Sequence, residues 1–139
     1  MHRIPFEQKQ AEQYISERKL APCFICEIVA GKPRRAAHEL VYEDAQVIAF
    51  LSSMPSHYGQ TLVCPKRHVE NVVDDLALDD YLYLQSIVHK VGRAVAQVVK
   101  PERIYIASFG SQQMNAHVHF HIHPLPVGVP VRQQQMASM

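Results

Sequence analysis

The sequence predicts an α+β domain with helices packed against one face of an antiparallel sheet, on three observations. Short alternating apolar runs fall at 39–64 and 103–123, and between them lies one long stretch with apolar residues at three- and four-residue spacing. Regular strand-helix alternation, which a doubly wound sheet needs, is absent. At 139 residues the chain has material for a single core.

In chain order, residues 6 to 19 (FEQKQAEQYISERK) are polar around Phe6, Tyr14 and Ile15 and read as a modestly amphipathic helix or arm. CFICEIVAG follows as a short helix closed at Gly31, with Pro33 barring continuation. A hairpin of 39–43 and 46–51 turns at Asp44-Ala45 without the glycine that would make the turn strong. A loop, SSMPSHYG, leads to a third strand at 60–64, stopped by Pro65. The long helix spans Leu78 to Val99, with Leu84, Ile87, Val88, Val91, Ala94, Val95 and Val98 on its apolar stripe. Asp79 and Asp80 sit at its positive end, and Pro101 stops it. Strands at 103–109 and 117–123 complete the sheet, and Arg132-Gln-Gln-Gln-Met136 begins a polar tail.

Composition narrows the function. Apolar residues at 47% and charged residues at 19% suit a globular chain and leave disorder only for the ends. Fourteen basic and thirteen acidic side chains, a formal charge of +1, give no field for DNA or RNA, so any anion must be held by a local site. No apolar run reaches the roughly 18 residues of a membrane span, and Met1 to Pro5 leads into a polar segment, so the expected setting is cytoplasmic. Three cysteines are too few for a disulfide framework, and Cys23-x-x-Cys26 suits a metal or a redox pair.

The segment His117-Val118-His119-Phe120-His121-Ile122-His123 carries the chemistry. On a strand, Val118, Phe120 and Ile122 point into the core and the four imidazoles share the other face. A histidine-rich solvent face is one reading, and a zinc site built on two of these rings is another, although no third ligand or general-base carboxylate adjoins the strand. Nucleophilic catalysis fits the pattern better. A neutral imidazole attacks phosphorus and forms an N–P bond that water later breaks, provided its other nitrogen is held as N–H by a fixed acceptor. Imidazoles two residues away on either side then hydrogen-bond the phosphate oxygens.

At these residues the sequence resembles the histidine triad (HIT) superfamily, whose signature is His-φ-His-φ-His-φ-φ with φ apolar; His123 departs at the last place. CFICEIVAGK, ELVYEDAQVIAFL, YGQTLVCPKRHVENV and the long helix extend the likeness from about Cys23 to Pro126. GSQQ at 110–113 and the terminal GVPVRQQQ are similar to a bacterial subgroup. The resemblance implies a HIT-like antiparallel sheet with one long helix and shorter helices packed on it, an N-terminal arm or helix at 1–20, a HIT domain at 21–126 and a C-terminal tail at 127–139. It implies a nucleotidyl-histidine intermediate on His119, supported by His117 and His121, in a hydrolase or transferase acting on a diadenosine polyphosphate, a nucleoside phosphoramidate or a similar substrate. An adenine nucleotide as substrate, no cofactor for catalysis and a homodimer are further implications, with no nucleic-acid or membrane partner.

By the same resemblance Gln112, Gln113 and Asn115 place amide groups against phosphate and leaving group, while Met114 stands where several relatives have Ser or Thr. Ser52 occupies the place of an Asp or Asn that binds ribose hydroxyls, so it offers no charge-assisted pair. Phe50 and Leu51 form the base pocket or pack the core. Cys23 and Cys26 hold a structural zinc with the first triad histidine, or pack at the helix start. The fourth ligand's place falls near Gln60, so His57 or His68 has to substitute. Lys66 and Arg67 steer a polyphosphate tail or lie in a solvated loop, and Cys64 is core.

Overall fold

The computed structural model describes residues 11–13, 15–17, 22–32 and 38–138. The arm read at 6–19 lies largely outside the described residues; 11–13 and 15–17 are helical, and Gln13 Nε2 donates to Glu17 Oε1 at 2.9 Å across one turn. Helix α1 is Phe24–Val29, with Cys23 at its N-cap accepting the Cys26 N–H through Sγ at 3.4 Å.

Five strands follow: β1 Leu40–Glu43, β2 Val47–Leu51, β3 Thr61–Pro65, β4 Arg103–Ser108 and β5 Phe120–Leu125. They form one antiparallel sheet in the order β1-β2-β3-β5-β4, with β5 seated between β3 and β4. Helix α2, Leu78–Val99, crosses from β3 to β4.

The β1–β2 turn manages without glycine because Asp44 supplies what the backbone lacks. Its Oδ1 accepts the N–H groups of Gln46 at 2.7 Å and Val47 at 2.8 Å, a side-chain turn. Oδ2 accepts the Tyr42 hydroxyl at 2.7 Å and the Tyr83 hydroxyl, which ties the turn to the first turns of α2. Burial raises this carboxyl's pKa, and the hydrogen bonds from Tyr83, Gln46, Tyr42 and Val47 outweigh it, leaving the group at about 2. Asp44→Ala is expected to lower stability by about 1 kcal/mol. A folded pKa below the unfolded one adds stability above about pH 4, and this is lost as pH falls toward 2. Thermal melts should therefore show the wild-type advantage at pH 6 shrinking at pH 3; an equal gap at both, on the order of 1 kcal/mol, would reject the carboxylate as its source.

α2 matches the predicted span residue for residue. No side chain caps its N-terminus at Ala77, where Asp79 and Asp80 balance the exposed N–H groups, and Lys100 ends it in the left-handed region at φ 52°. Leu84, Ile87, Val88, Val91, Gly92 and Val95 are buried, but Val98 is 83% exposed and Ala94 faces solvent. Val99 takes the last packing place instead. There it meets Gly59 (φ +84°), where a Cβ would lie 2.6 Å from Val99 Cγ2. Any larger residue would push the 52–59 loop off the helix end.

The helices do not share a face, contrary to expectation. Along β2, Val47 and Ala49 join α2 in the larger core, while Ile48 and Phe50 join Ile25 and Ile28 of α1, with Leu62 and Cys64, on the opposite side. The strand is apolar on both faces because both are covered. The tail also docks on the sheet. Short 3₁₀ turns at Val131–Gln133 and Gln135–Ser138 bring the Gln135 N–H to the Tyr105 hydroxyl at 3.3 Å and bury Ser138.

Candidate functional site

The ladder of β5 begins at Phe120, so His117 to His119 precede the strand rather than open it. Val118 N–H instead donates to the Val69 carbonyl at 2.8 Å. Alternation survives this shift: Val118, Phe120 and Ile122 lie in the α2 core, and His117, His119 and His123 are buried, with His121 half-buried. Buried imidazoles are costly unless partnered, and each of the four has a partner.

His119 Nδ1 lies 2.7 Å from the His117 carbonyl. A carbonyl only accepts, so Nδ1 carries the proton and Nε2 keeps its lone pair. Ser108 Oγ donates to the His119 carbonyl at 2.9 Å and steadies the backbone. Burial lowers the His119 pKa below the ordinary histidine value, opposed by the carbonyl bond, so the ring is neutral at pH 7. A Cβ on Gly110 would stand 2.8 Å from the Asn115 carbonyl oxygen and 3.7 Å from His119 Cε1. Glycine there lets the 110–116 loop close beside the ring.

His121 stands next to it, ring centroids 5.0 Å apart, with Phe109 6.2 Å away on another side. Gln60 Nε2 approaches His121 Nδ1 at 3.2 Å. Burial, then the charges of His119 and His123, push the His121 pKa down to about 4. At the far end His123 Nε2 lies 2.7 Å from His57 Nδ1 and 3.1 Å from the Ser138 carbonyl, so the tail closes the row.

His117 is turned away from this pair. Its Nε2 lies 2.7 Å from the Pro65 carbonyl and so holds the proton, which leaves Nδ1 bare 3.4 Å from Cys23 Sγ and 3.5 Å from Cys26 Sγ. His68 repeats the arrangement, with Nε2 on Glu70 Oε1 at 3.0 Å and Nδ1 3.3 Å from Cys26 Sγ. The four ligand atoms lie within 4.8 Å of one another. Tetrahedral zinc with Zn–S near 2.3 Å and Zn–N near 2.0 Å requires S···N edges of about 3.5 Å. The residues fit that ion, and both imidazoles have their outer N–H anchored as metal-binding histidines require.

His68 is therefore the fourth member of this set. The place near Gln60 belongs to the triad side, and His57 pairs with His123. Cys23 and Cys26 are half-buried rather than packed away, and burial followed by the Cys23 contact raises the Cys26 thiol to about 11. Cys64 is core, its thiol pushed up by burial.

The loop residues lie beside the cluster. Gln112, Gln113 and Asn115 line a cleft of about 230 Å³ with Cys23, His68 and His117. Asn115 adopts φ 53°, and the two glutamines are exposed. Phe50 is 1% exposed, edge-on to Phe24 and His38, so it packs the α1 core and the surface beside it belongs to Leu51, 38% exposed. Ser52 Oγ accepts the Met54 N–H at 3.3 Å. Lys66 pairs with Glu43 at 3.0 Å and Arg67 with Asp80 at 3.9 Å, which makes both structural surface contacts.

Gln60 and Ser108 carry no local motif that marks them as site residues. Strand alternation held the signal for Gln60: Leu62 pairs with His121, and Gln60 stands two residues before Leu62 on the same face. Ser108 needed the β4–β5 register, which pairs it with Phe120.

A five-stranded antiparallel sheet with alternate histidines along β5 and the segment leading into it, beside a two-cysteine, two-histidine cluster, defines a protein of the histidine-triad class. The chain belongs to the HIT domain family, whose model matches residues 34–126. It is 36% identical over 105 residues to an uncharacterized HIT-like protein of Saccharolobus solfataricus, covering 73% of each chain. It is 31% identical over 106 residues to the bifunctional adenosine 5′-phosphosulfate phosphorylase/adenylylsulfatase HINT4 of Arabidopsis thaliana, covering 75% of this chain and 70% of that one. The fold matches the crystal structure of a Zn-bound histidine triad family protein from Mycobacterium smegmatis with TM-score 0.66 at 24% identity, over 84% of this chain and 85% of that one. No helix among the described residues is long and apolar enough to cross a membrane.

Proposed function

We propose that the protein is a nucleotide hydrolase or nucleotidyl transferase acting at an α-phosphate through a covalent adduct on His119. The observation that carries this reading is the His119 Nδ1–H bond to the His117 carbonyl, which leaves Nε2 as a fixed lone pair in a water-poor place. Nε2 attacks phosphorus, the P–O or P–N bond to the leaving group breaks, and the leaving group departs with its electron pair and takes a proton from solvent. Water, which gives up a proton to solvent, or another acceptor such as phosphate, then attacks the same phosphorus, the N–P bond breaks and His119 regains its lone pair. His121 supports the phosphate oxygens as their charge rearranges. His117 supports the nucleophile through its backbone carbonyl while its ring joins the cluster.

Gln112, Gln113 and Asn115 are the candidate amide donors to phosphate and leaving group, with Leu51 and Ser52 at the base and ribose and Phe50 behind them. The name of the Arabidopsis relative, a phosphorylase and sulfatase of adenosine 5′-phosphosulfate, supports an adenine nucleotide with a good leaving group on its α-phosphate. Cys23, Cys26, His68 and His117 would hold one zinc, which supplies structural cross-linking and no reaction step. The outer edge of β4, which pairs with no further strand among the described residues and where Ile106 is 50% exposed, is the seat we assign to a homodimer contact.

A substrate panel in excess EDTA tests the reading: a diadenosine polyphosphate, adenosine phosphoramidate and adenosine 5′-phosphosulfate. At least one should release AMP, and an alkaline quench should leave the peptide containing His119 heavier by one nucleotidyl group. Tight AMP binding without turnover of any of the three would make the protein a binding module. Turnover lost to chelator and restored by zinc, with the fold intact throughout, would point to metal-dependent chemistry.

A further inference from the structure

Gln60 closes the loop before β3 and is 7% exposed, yet both ends of its amide are in use. Its Oε1 accepts the Ser56 backbone N–H at 2.8 Å, and its Nε2 lies 3.2 Å from His121 Nδ1. A backbone N–H can only donate, so the oxygen end must face Ser56 and the NH₂ end must face the ring. An NH₂ group also can only donate. His121 Nδ1 is therefore a lone pair, and the neutral ring carries its proton on Nε2.

The neighbouring His119 is set the other way, with its proton on Nδ1. Two chemically identical imidazoles 5.0 Å apart thus present opposite faces, one a bare nitrogen and one an N–H. The loop that does this is itself fixed, since the Gln60 N–H donates to the His57 carbonyl at 3.3 Å and its carbonyl accepts the Ser52 N–H at 2.9 Å.

We infer that Gln60 is a positioning residue: it locks His121 as a permanent Nε2–H donor to the substrate phosphate, so that the two imidazoles cannot exchange roles. This deepens the reading of His119 as nucleophile and rests on it. An amide does not titrate at working pH, so the lock holds where a carboxylate or imidazole partner would exchange a proton with the ring. His121 contributes a hydrogen bond and never competes as a base.

The test reads the tautomer directly. In full-length protein labelled with ¹⁵N-histidine and free of substrate, long-range ¹H–¹⁵N correlation should show His121 protonated at Nε2 and bare at Nδ1, with assignment by loss of its signals in His121→Gln. Gln60→Glu keeps an acceptor for Ser56 but presents an oxygen to the ring, and should move a proton onto Nδ1. With adenosine phosphoramidate, the same variant should lose about 10–100-fold in kcat, as outer partners of a working histidine do, with KM within about threefold of wild type. A wild-type His121 protonated at Nδ1 and bare at Nε2 overturns the inference, and it does so even if Gln60→Glu fails to fold. An unchanged His121 spectrum in a folded Gln60→Glu, or an unchanged kcat, also overturns it. The NMR result does not depend on turnover: a wild-type protein inert toward every substrate defeats the nucleophile reading, and an active one with the wrong tautomer defeats only the Gln60 lock.

Discussion

Replacing His119 by alanine is expected to abolish nucleotide release, with kcat lowered on the order of 10⁴-fold or more while the fold persists. The size of the effect follows from the absence of a substitute in the row. His117 has one nitrogen on the Pro65 carbonyl and the other at the thiols, and His123 is held between His57 and the Ser138 carbonyl. His121 is nearest, but Gln60 occupies its Nδ1 and leaves only an N–H outward. Small-molecule imidazole is therefore the fitting rescue, because it returns a lone pair to the space the side chain vacates. Activity of the variant should reappear with added imidazole, and the mass gain on the 117–121 peptide should not. A variant that keeps more than about 1% of wild-type turnover without imidazole would remove His119 from the role of nucleophile. The far-ultraviolet spectrum and melting temperature, measured alongside, separate lost chemistry from lost fold.

Removing the metal ligands is expected to cost stability more than chemistry. Purified protein should contain one zinc per chain, and Cys26→Ser or His68→Ala should lose it and melt about 10 °C lower, on the order of 3 kcal/mol for a domain of this size. The cluster joins elements that are otherwise far apart in sequence: α1 through Cys23 and Cys26, the segment after β3 through His68, and the start of the histidine run through His117. Without an ion the Cys26 thiol stays protonated, since burial keeps it near 11, and four ligand atoms face one another with only weak sulfur hydrogen bonds between them. Zinc uptake must expel the thiol protons, so affinity should rise with pH. Metal analysis and melting curves with and without a strong chelator check both statements. A protein with no bound zinc and an unchanged melting temperature in each variant would show the cysteines to be packing residues.

Much of this was legible in the sequence, for identifiable reasons. α2 is legible end to end because its stripe is long, Asp79 and Asp80 mark its start and Pro101 its stop. The first four strands lie within a residue of their expected bounds, whereas β5 opens at Phe120, three residues after the expected start at His117; alternation nonetheless places Val118, Phe120 and Ile122 in the core and the histidines opposite. What was not legible depends on contacts between distant segments. His68 reaches the thiols because Val69 and Val118 join by a backbone bond that no local pattern signals. The sequence favours the base pocket for Phe50 with core packing close behind, and α1 packing on the second face puts it in the core. The paired His57 and His123, and the tail that covers them, are likewise outcomes of packing.

The placing of β5 between β3 and β4 also fixes when during folding the site can exist. The sheet consists of two local halves, the β1–β2–β3 meander and the β4–β5 hairpin, joined at one seam where Thr61, Leu62 and Val63 meet Ile122, His121 and Phe120. Each half closes short loops, whereas the seam closes a loop of some sixty residues and bears the larger entropic cost. The Gln60–His121 contact and the cysteine–histidine cluster both straddle it. A folding intermediate with both halves formed and the seam open would have nearly all its secondary structure and none of its chemistry, so recovery of activity in refolding should lag recovery of the far-ultraviolet signal.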